Sequence, residues 1–400
     1  MQNTISCAEK YVVVYLPQEV IKMKVTIAID SFKGSLTSLE AGKAVQEAIA
    51  RLDKDAVVAV RPLADGGEGT VAALSTLPDA ETVEISVCGP LETPVKAKYC
   101  ILRDTNTAVM EMAEASGINL VPREQLNPLR TTTYGVGELI ADAMDRGCRS
   151  FLIGIGGSAT NDGGVGMLQA LGFRFLDEQG ADIACGAAGL EQLRSISAQN
   201  VHPTLKECKF RIACDVDNPL CGEKGCSRVY GPQKGATDTM VSRMDMWLER
   251  YAELVRAYNP QADANREGAG AAGGLGFAFA AFTDAVLEPG VQIVLEETKL
   301  EEHIKDADLV VTGEGRLDGQ TVMGKAPVGV ARLAKKYGKR VIAFSGCVAE
   351  DAELCNQYGI DAYFPILRRI STLEEALETK TAYQNLRDTA YQVFRLILLK

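Results

Sequence analysis

The chain has 400 residues, more than one hydrophobic core usually supports, so two domains are expected. Hydrophobic residues at 46% and charged ones at 24% are the proportions of an ordinary globular protein and exclude a disordered chain. A net charge of −11 excludes nucleic acid as the expected partner, because phosphate backbones are bound by a surplus of Lys and Arg.

Residues 1–22 show no clear period and read as an N-terminal extension, with no segment resembling a signal peptide. From Met23 a β-branched run, Val25 to Ile29, has the character of a buried parallel strand and ends in Asp30-Ser-Phe-Lys-Gly-Ser35. Thr37 and Glu40 form a capping-box pattern for a helix whose apolar stripe is Val45, Ala48, Ile49 and Leu52. A second strand, Ala56 to Val60, leads into Leu63-Ala-Asp-Gly-Gly-Glu-Gly-Thr70. Both polar loops follow the carboxyl ends of strands, where open α/β sheets place their ligands. Between Glu81 and Met112 short alternating segments break at Gly89-Pro90 and Arg103-Asp104, which predicts antiparallel hairpins. Val136 to Arg146 then reads as a helix ended by Gly147.

The most distinctive stretch is 151–168, where an apolar strand collapses into glycines and short polar residues before helical periodicity resumes. Six of the residues from 154 to 166 are glycine, more than a tight turn needs. Gly156, Gly157 and Ser158 are expected to cradle phosphate, with Thr160, Asn161 and Asp162 capping the next helix and its dipole favouring an anion. Further on come the strand Arg211–Ala213 running into Cys-Asp-Val-Asp217, the loop Tyr230–Gly235 with its single cation Lys234, and a second glycine cluster, Gly268–Gly276. After Glu288-Pro-Gly290 the alternation is regular: strand Asp308–Thr312, helix Pro327–Tyr337, strand Val341–Ser345 and a last strand Ala362–Pro365.

This rhythm predicts an α/β protein: a discontinuous, doubly wound Rossmann-like domain from 23–68 and 290–400, with a second α/β domain, 69–289, inserted into it. Residues 131–168 suit either. No run approaches the roughly 20 apolar residues of a membrane span. The eleven cysteines show no regular framework, and the spacing of Cys208, Cys214, Cys221 and Cys226 lacks the pairs of a zinc ribbon, so reduced thiols and a cytoplasmic location are expected.

No Walker A string occurs, and the two partial dinucleotide fingerprints, from Gly154 and from Gly268, sit in the wrong context. Several short motifs instead set acids or a lone cation beside glycine: Asp30-Ser-Phe-Lys-Gly-Ser, Asp65-Gly-Gly-Glu-Gly-Thr, Asn161-Asp-Gly-Gly, Asp215-Val-Asp-Asn, Gln233-Lys-Gly and Thr312-Gly-Glu-Gly-Arg-Leu-Asp-Gly-Gln-Thr321. Phosphoryl transfer needs such an inventory: cations around the transferring oxygens, carboxylates for Mg²⁺ and a base near the accepting hydroxyl. Neither His202 nor His303 falls in these motifs, so acid/base work goes to carboxylates or Lys.

These motifs, in this order from Met23 to about Tyr391, resemble the bacterial glycerate kinases of the single-chain type that carries D-S-F-K-G-S near the start. The resemblance implies two α/β domains with the site in their cleft, and ATP-dependent phosphorylation of D-glycerate, usually to 2-phosphoglycerate. Roles are assigned by chemistry. Gly156, Gly157 and Ser158, with Asn161, are expected at the ATP phosphates, and Lys33 and Lys234 near the transferred charge. Asp162, Glu314 and Asp318 are candidates for Mg²⁺. Asp30, Ser31, Asp65 and Glu68 would line the glycerate pocket, and Asp215 is the candidate base, with Asp65 and Asp162 as alternates. Arg316 either forks the substrate carboxylate or forms a surface ion pair. A nicotinamide-dependent oxidoreductase and a non-catalytic nucleotide or sugar-acid sensor remain the rival readings.

Overall fold

The computed structural model describes residues 22–67 and 69–399, so the expected extension 1–22 and Glu68 lie outside the described residues apart from Lys22. In chain order the first strands are β1 (Lys24–Ile29), β2 (Val57–Val60), β3 (Ala80–Cys88), β4 (Pro94–Leu102), β5 (Thr107–Glu111) and β6 (Ser150–Gly154). A short ribbon, β7 (Arg174–Leu176) with β8 (Ser195–Ser197), follows. Then come β9 (Lys209–Ala213), β10 (Val286–Glu288), β11 (Leu309–Leu317), β12 (Arg340–Val348) and β13 (Ala362–Pro365).

Two sheets organise them. The first is all parallel, in the order β13-β12-β11-β1-β2, and joins the two ends of the chain where Val25 pairs with Leu309 and Ile29 with Gly313. Its apolar runs face helices on both sides, as a doubly wound sheet requires. Val310, Val341 and Ala343 pack under the helix Ala326–Lys336, while Ile27, Val311 and Phe344 pack under the helices Ser38–Ala50 and Thr379–Ile397. The capping box forms as predicted, with Glu40 N–H donating to Thr37 Oγ1 and Thr37 N–H to Glu40 Oε2. Fully burying each Val or Ile on that helix stabilises by roughly 1.5–3 kcal/mol. The strand order reverses between β1 and β11, which opens a crevice at their carboxyl ends.

The second sheet runs β10-β9-β6-β5-β4-β3 and takes all its strands from residues 80–288. β3, β4 and β5 are the predicted antiparallel meander, whereas β5, β6, β9 and β10 are parallel. The strand–loop–helix reading of 151–168 holds, but the helix starts later and is shorter than its glycine loop suggests, Val165–Ala170. The second glycine cluster leads into the helix Ala271–Phe282, whose start is broken by left-handed backbone at Ala272, Gly273 and Gly274. A Cβ on Gly273 would come 2.1 Å from Thr160 O and one on Gly164 would come 2.4 Å from the Cβ of Ala278, so these glycines let two backbones touch.

The helix Gly290–Glu297 joins the two halves, with Val291, Val294 and Leu295 in the first sheet's core and Ile293 against Leu152 and Ala213 of the second. Arg211 of β9 clamps its far end through Glu296 and Glu297, and Glu288 before it. At its near end Gly290 passes Gly66 so closely that a Cβ on Gly66 would lie 2.3 Å from the Cα of Gly290.

Candidate functional site

Both sheets turn their carboxyl ends to one cleft, and the cleft divides into two chambers. One, of about 500 Å³, lies at the crevice of the first sheet and has Asp30, Glu314, Arg316 and Lys325 on its polar side. The other, of about 480 Å³, lies between the halves and is lined by Gly156, Gly157, Ser158, Asp215 and Lys234. Lys33 and Asp65 line both chambers, and their side chains pair at 3.6 Å.

In the first chamber β11 runs farther than predicted, through Leu317, so Glu314 and Arg316 stand on a strand rather than a loop. Asp30 is buried at the end of β1 and its Oδ1 accepts the Ser31 N–H. Burial, with the charge of Asp65 next in weight and that of Glu314 adding to it, pushes its carboxyl up to about 7. Glu314 is buried as well; burial raises its pKa, while the Thr321 hydroxyl at 2.7 Å and Lys325 at 3.7 Å hold the charged form. Asp318 pairs with Lys325 at 3.8 Å and with Arg316 at 3.3 Å. The surface ion pair weighed for Arg316 is therefore present, and the exposed guanidinium still lines the chamber.

In the second chamber the loop after β6 is pinned by Ile118 N–H to Gly157 O and by Ala159 N–H to Ser116 O. Gly156 and Gly157 are exposed, and among the described residues no backbone oxygen accepts from Gly156, Gly157 or Ser158. The helix begins seven residues beyond Ser158, so its dipole does not act where the sequence reading put it. Lys234 is fully buried and donates to Ser158 Oγ and Thr160 O, both at 2.7 Å. Burial pulls its ammonium down to about 8. Asp215 stands open to the chamber, its Oδ1 accepting Gly290 N–H at 3.1 Å, and partial desolvation raises its pKa.

Asp162 does not join them. It is wholly buried and accepts four hydrogen bonds, from Thr133 N–H, Thr133 Oγ1, Gly164 N–H and Gly166 N–H. A carboxylate so saturated holds a loop and has no room for Mg²⁺ or a substrate proton, which corrects its metal and catalytic roles. Asn161 is buried behind the loop, its Nδ2 donating to Ser227 Oγ, so it does not reach a phosphate either. The sequence reading missed Lys325, which follows the Thr312–Thr321 motif by four residues and carries no glycine–acid signature.

Cations facing carboxylates at the carboxyl ends of two α/β sheets suit phosphoryl transfer to a small molecule. The glycerate kinase family model matches residues 25–398. A glycerate kinase of Haemophilus influenzae is 48% identical over 378 residues, 94% of this chain and 100% of that protein. A glycerate 2-kinase of Escherichia coli K12 is 46% identical, over 91% of this chain and 95% of that one. A solved structure from Salmonella typhimurium LT2, assigned as glycerate kinase 2, aligns with a TM-score of 0.86 at 47% identity, covering 94% of this chain and 98% of that one. The chain belongs to the glycerate kinase family, and it is a kinase, with ATP as the phosphoryl donor that this implies. Among the described residues no helix is long and apolar enough to cross a membrane.

Proposed function

We propose that the protein transfers the γ-phosphoryl group of ATP to D-glycerate, giving 2-phosphoglycerate. The observation that carries the reading is the Lys33–Asp65 pair common to both chambers. Donor and acceptor can each fill one chamber and meet at a cation and a carboxylate. Lys33 offsets the charge that develops on the transferring group, and Asp215, with one oxygen oriented by Gly290, takes the proton of the accepting hydroxyl. Its raised pKa brings it nearer the working pH, where general bases act best.

The residues present fit Mg²⁺. Asp30 feels the like charges of Asp65 and Glu314, only partly offset by Lys33, and a divalent cation would relieve that repulsion. Asp30 and Asp65 would hold it, with Glu314 nearby, and it would supply positive charge to offset that of the phosphates. Glu314 and Asp318 already share Lys325, which makes Asp318 a partner of that cation before it is a metal ligand.

The test is ADP release from ATP·Mg²⁺ with D-glycerate, with the product's phosphorylated carbon read by ³¹P NMR. No ADP release on glycerate overturns the proposal, and 3-phosphoglycerate as product corrects the hydroxyl. A cytoplasmic location, proposed from the reduced cysteines, is checked by fractionating cells.

A further inference from the structure

We propose that the adenine ring of ATP lies in the first chamber against Leu373 and Leu377, with its phosphates among Lys33, Arg316 and Lys325, and that the glycine-lined chamber receives the carboxylate of glycerate at Lys234 and Ser158. The inference rests on the kinase reading and reverses the seats that the sequence reading gave to the two substrates.

The physical reason begins with the ligands. Glycerate has no apolar face, whereas a purine gains most by covering apolar side chains. The first chamber offers such side chains: Leu367, Leu373 and Leu377 line it and remain 44%, 76% and 37% exposed. Three large aliphatic residues left open within eleven positions, on the wall of a charged cavity, mark a surface that a ligand covers. Leu373 and Leu377 lie at the two ends of one short helix, Leu373–Leu377, whose capping box at Thr372 holds it without their burial.

The number of cations points the same way once the nucleotide brings its metal. The first chamber adds Arg316 and Lys325 to the common Lys33, but the carboxylates Asp30, Asp65, Glu314 and Asp318 line it too, so a triphosphate is accommodated there together with the divalent cation that Asp30 and Asp65 would hold. The glycine chamber adds only Lys234. One buried ammonium suits one carboxylate; among the described residues two acceptors meet its three N–H donors, which leaves one for a ligand. The first chamber also sits where β1 and β11 diverge, the crevice in which a doubly wound sheet takes up its ligand. With these seats, Asp215 lies in the same chamber as the hydroxyl it deprotonates.

Leu373→Asp and Val216→Asp, one on each chamber's exposed apolar wall, test this. The measurements are KM for ATP, KM for D-glycerate, and fluorescence titration of methylanthraniloyl-ADP without glycerate. Leu373→Asp is expected to weaken methylanthraniloyl-ADP and raise KM for ATP by about tenfold or more, a loss of about 1.4 kcal/mol, with KM for glycerate moving less than twofold. Val216→Asp is expected to raise KM for glycerate and spare the nucleotide. Nucleotide binding weakened by Val216→Asp alone, or by neither change, overturns the assignment. If Leu373→Asp fails to fold, Leu377→Asn carries the same prediction. Failure of the kinase reading looks different: wild-type protein would bind methylanthraniloyl-ADP in the first chamber and release no ADP with glycerate.

Discussion

Asp162 and Asp30 are both buried aspartates in loops that follow strands, and burial raises the pKa of both, yet their surroundings are opposite. Four donors surround Asp162, two of them backbone N–H groups of its own loop. Asp30 accepts from Ser31 N–H and otherwise feels the charges of Asp65 and Glu314 more than that of Lys33, so its charge is opposed where that of Asp162 is satisfied. A buried carboxylate whose lone pairs are filled by the fold is part of the fold. One that the fold leaves short of donors, among other acids, waits for a cation or a proton.

Asp215 tests that distinction most severely. It has one backbone donor and an open face, which puts it with Asp30, and Asp215→Asn keeps its shape while removing the proton acceptor. A fall of about 10²–10⁴ in kcat with little change in Tm is expected. Normal kcat in this variant would move the base to Asp65. Asp162→Ala should do the reverse. It strands buried donors and unpins the loop, so a loss of about 3 kcal/mol is expected, read as a lower midpoint in urea unfolding. A variant of normal stability and reduced kcat would return Asp162 to the active site.

This distinction was out of reach of the sequence, because composition shows that an acid is beside glycine and not which donors reach it. Thr133, which supplies two of the four donors to Asp162, is 29 residues away in the chain. Local features were legible for local reasons: the Thr37–Glu40 capping box, the β-branched runs of β1 and β12, and the antiparallel meander between its turn residues. Lys33, Asp65 and Asp215 were legible because they follow strand ends, where α/β sheets collect ligand chemistry, and Lys234 because it is the lone cation of its loop. The apolar wall of the first chamber was not, since Leu373 and Leu377 come from a helix that reaches the crevice only after the chain has folded back.

The titration of Asp30 sharpens the comparison further. Its folded pKa of about 7 lies above the ordinary 3.8, so between those values the folded state holds more protons than the unfolded one. The stabilisation is complete below about pH 4 and is lost as the pH rises through 7, in protein without nucleotide or metal. Asp30→Asn removes the charge, so Tm at pH 8 is expected to rise by roughly 2–4 °C and its decline between pH 5 and 8 to flatten. Added MgCl₂ should raise the Tm of wild type at pH 8 and leave that of Asp30→Asn nearly unmoved. Equal magnesium effects on both proteins would separate Asp30 from the cation.

Ala272 gives the smallest expected effect and extends the comparison from side chains to backbone. It lines the glycine chamber with φ of 52°, the left-handed region where a Cβ costs on the order of 1 kcal/mol, and Gly273 and Gly274 follow it in the same region. The fold sustains that cost because the next residue, Gly273, lies against Thr160, behind the loop that carries Ser158. Ala272→Gly removes the strain and also frees the unfolded chain, two effects that partly cancel, so a rise in Tm of no more than about 2 °C is expected. The looser wall should raise KM for D-glycerate more than KM for ATP, because Ala272 borders the chamber assigned to glycerate. A fall in Tm would show that the methyl group's packing outweighs its backbone strain, and an effect confined to ATP would exchange the two chambers.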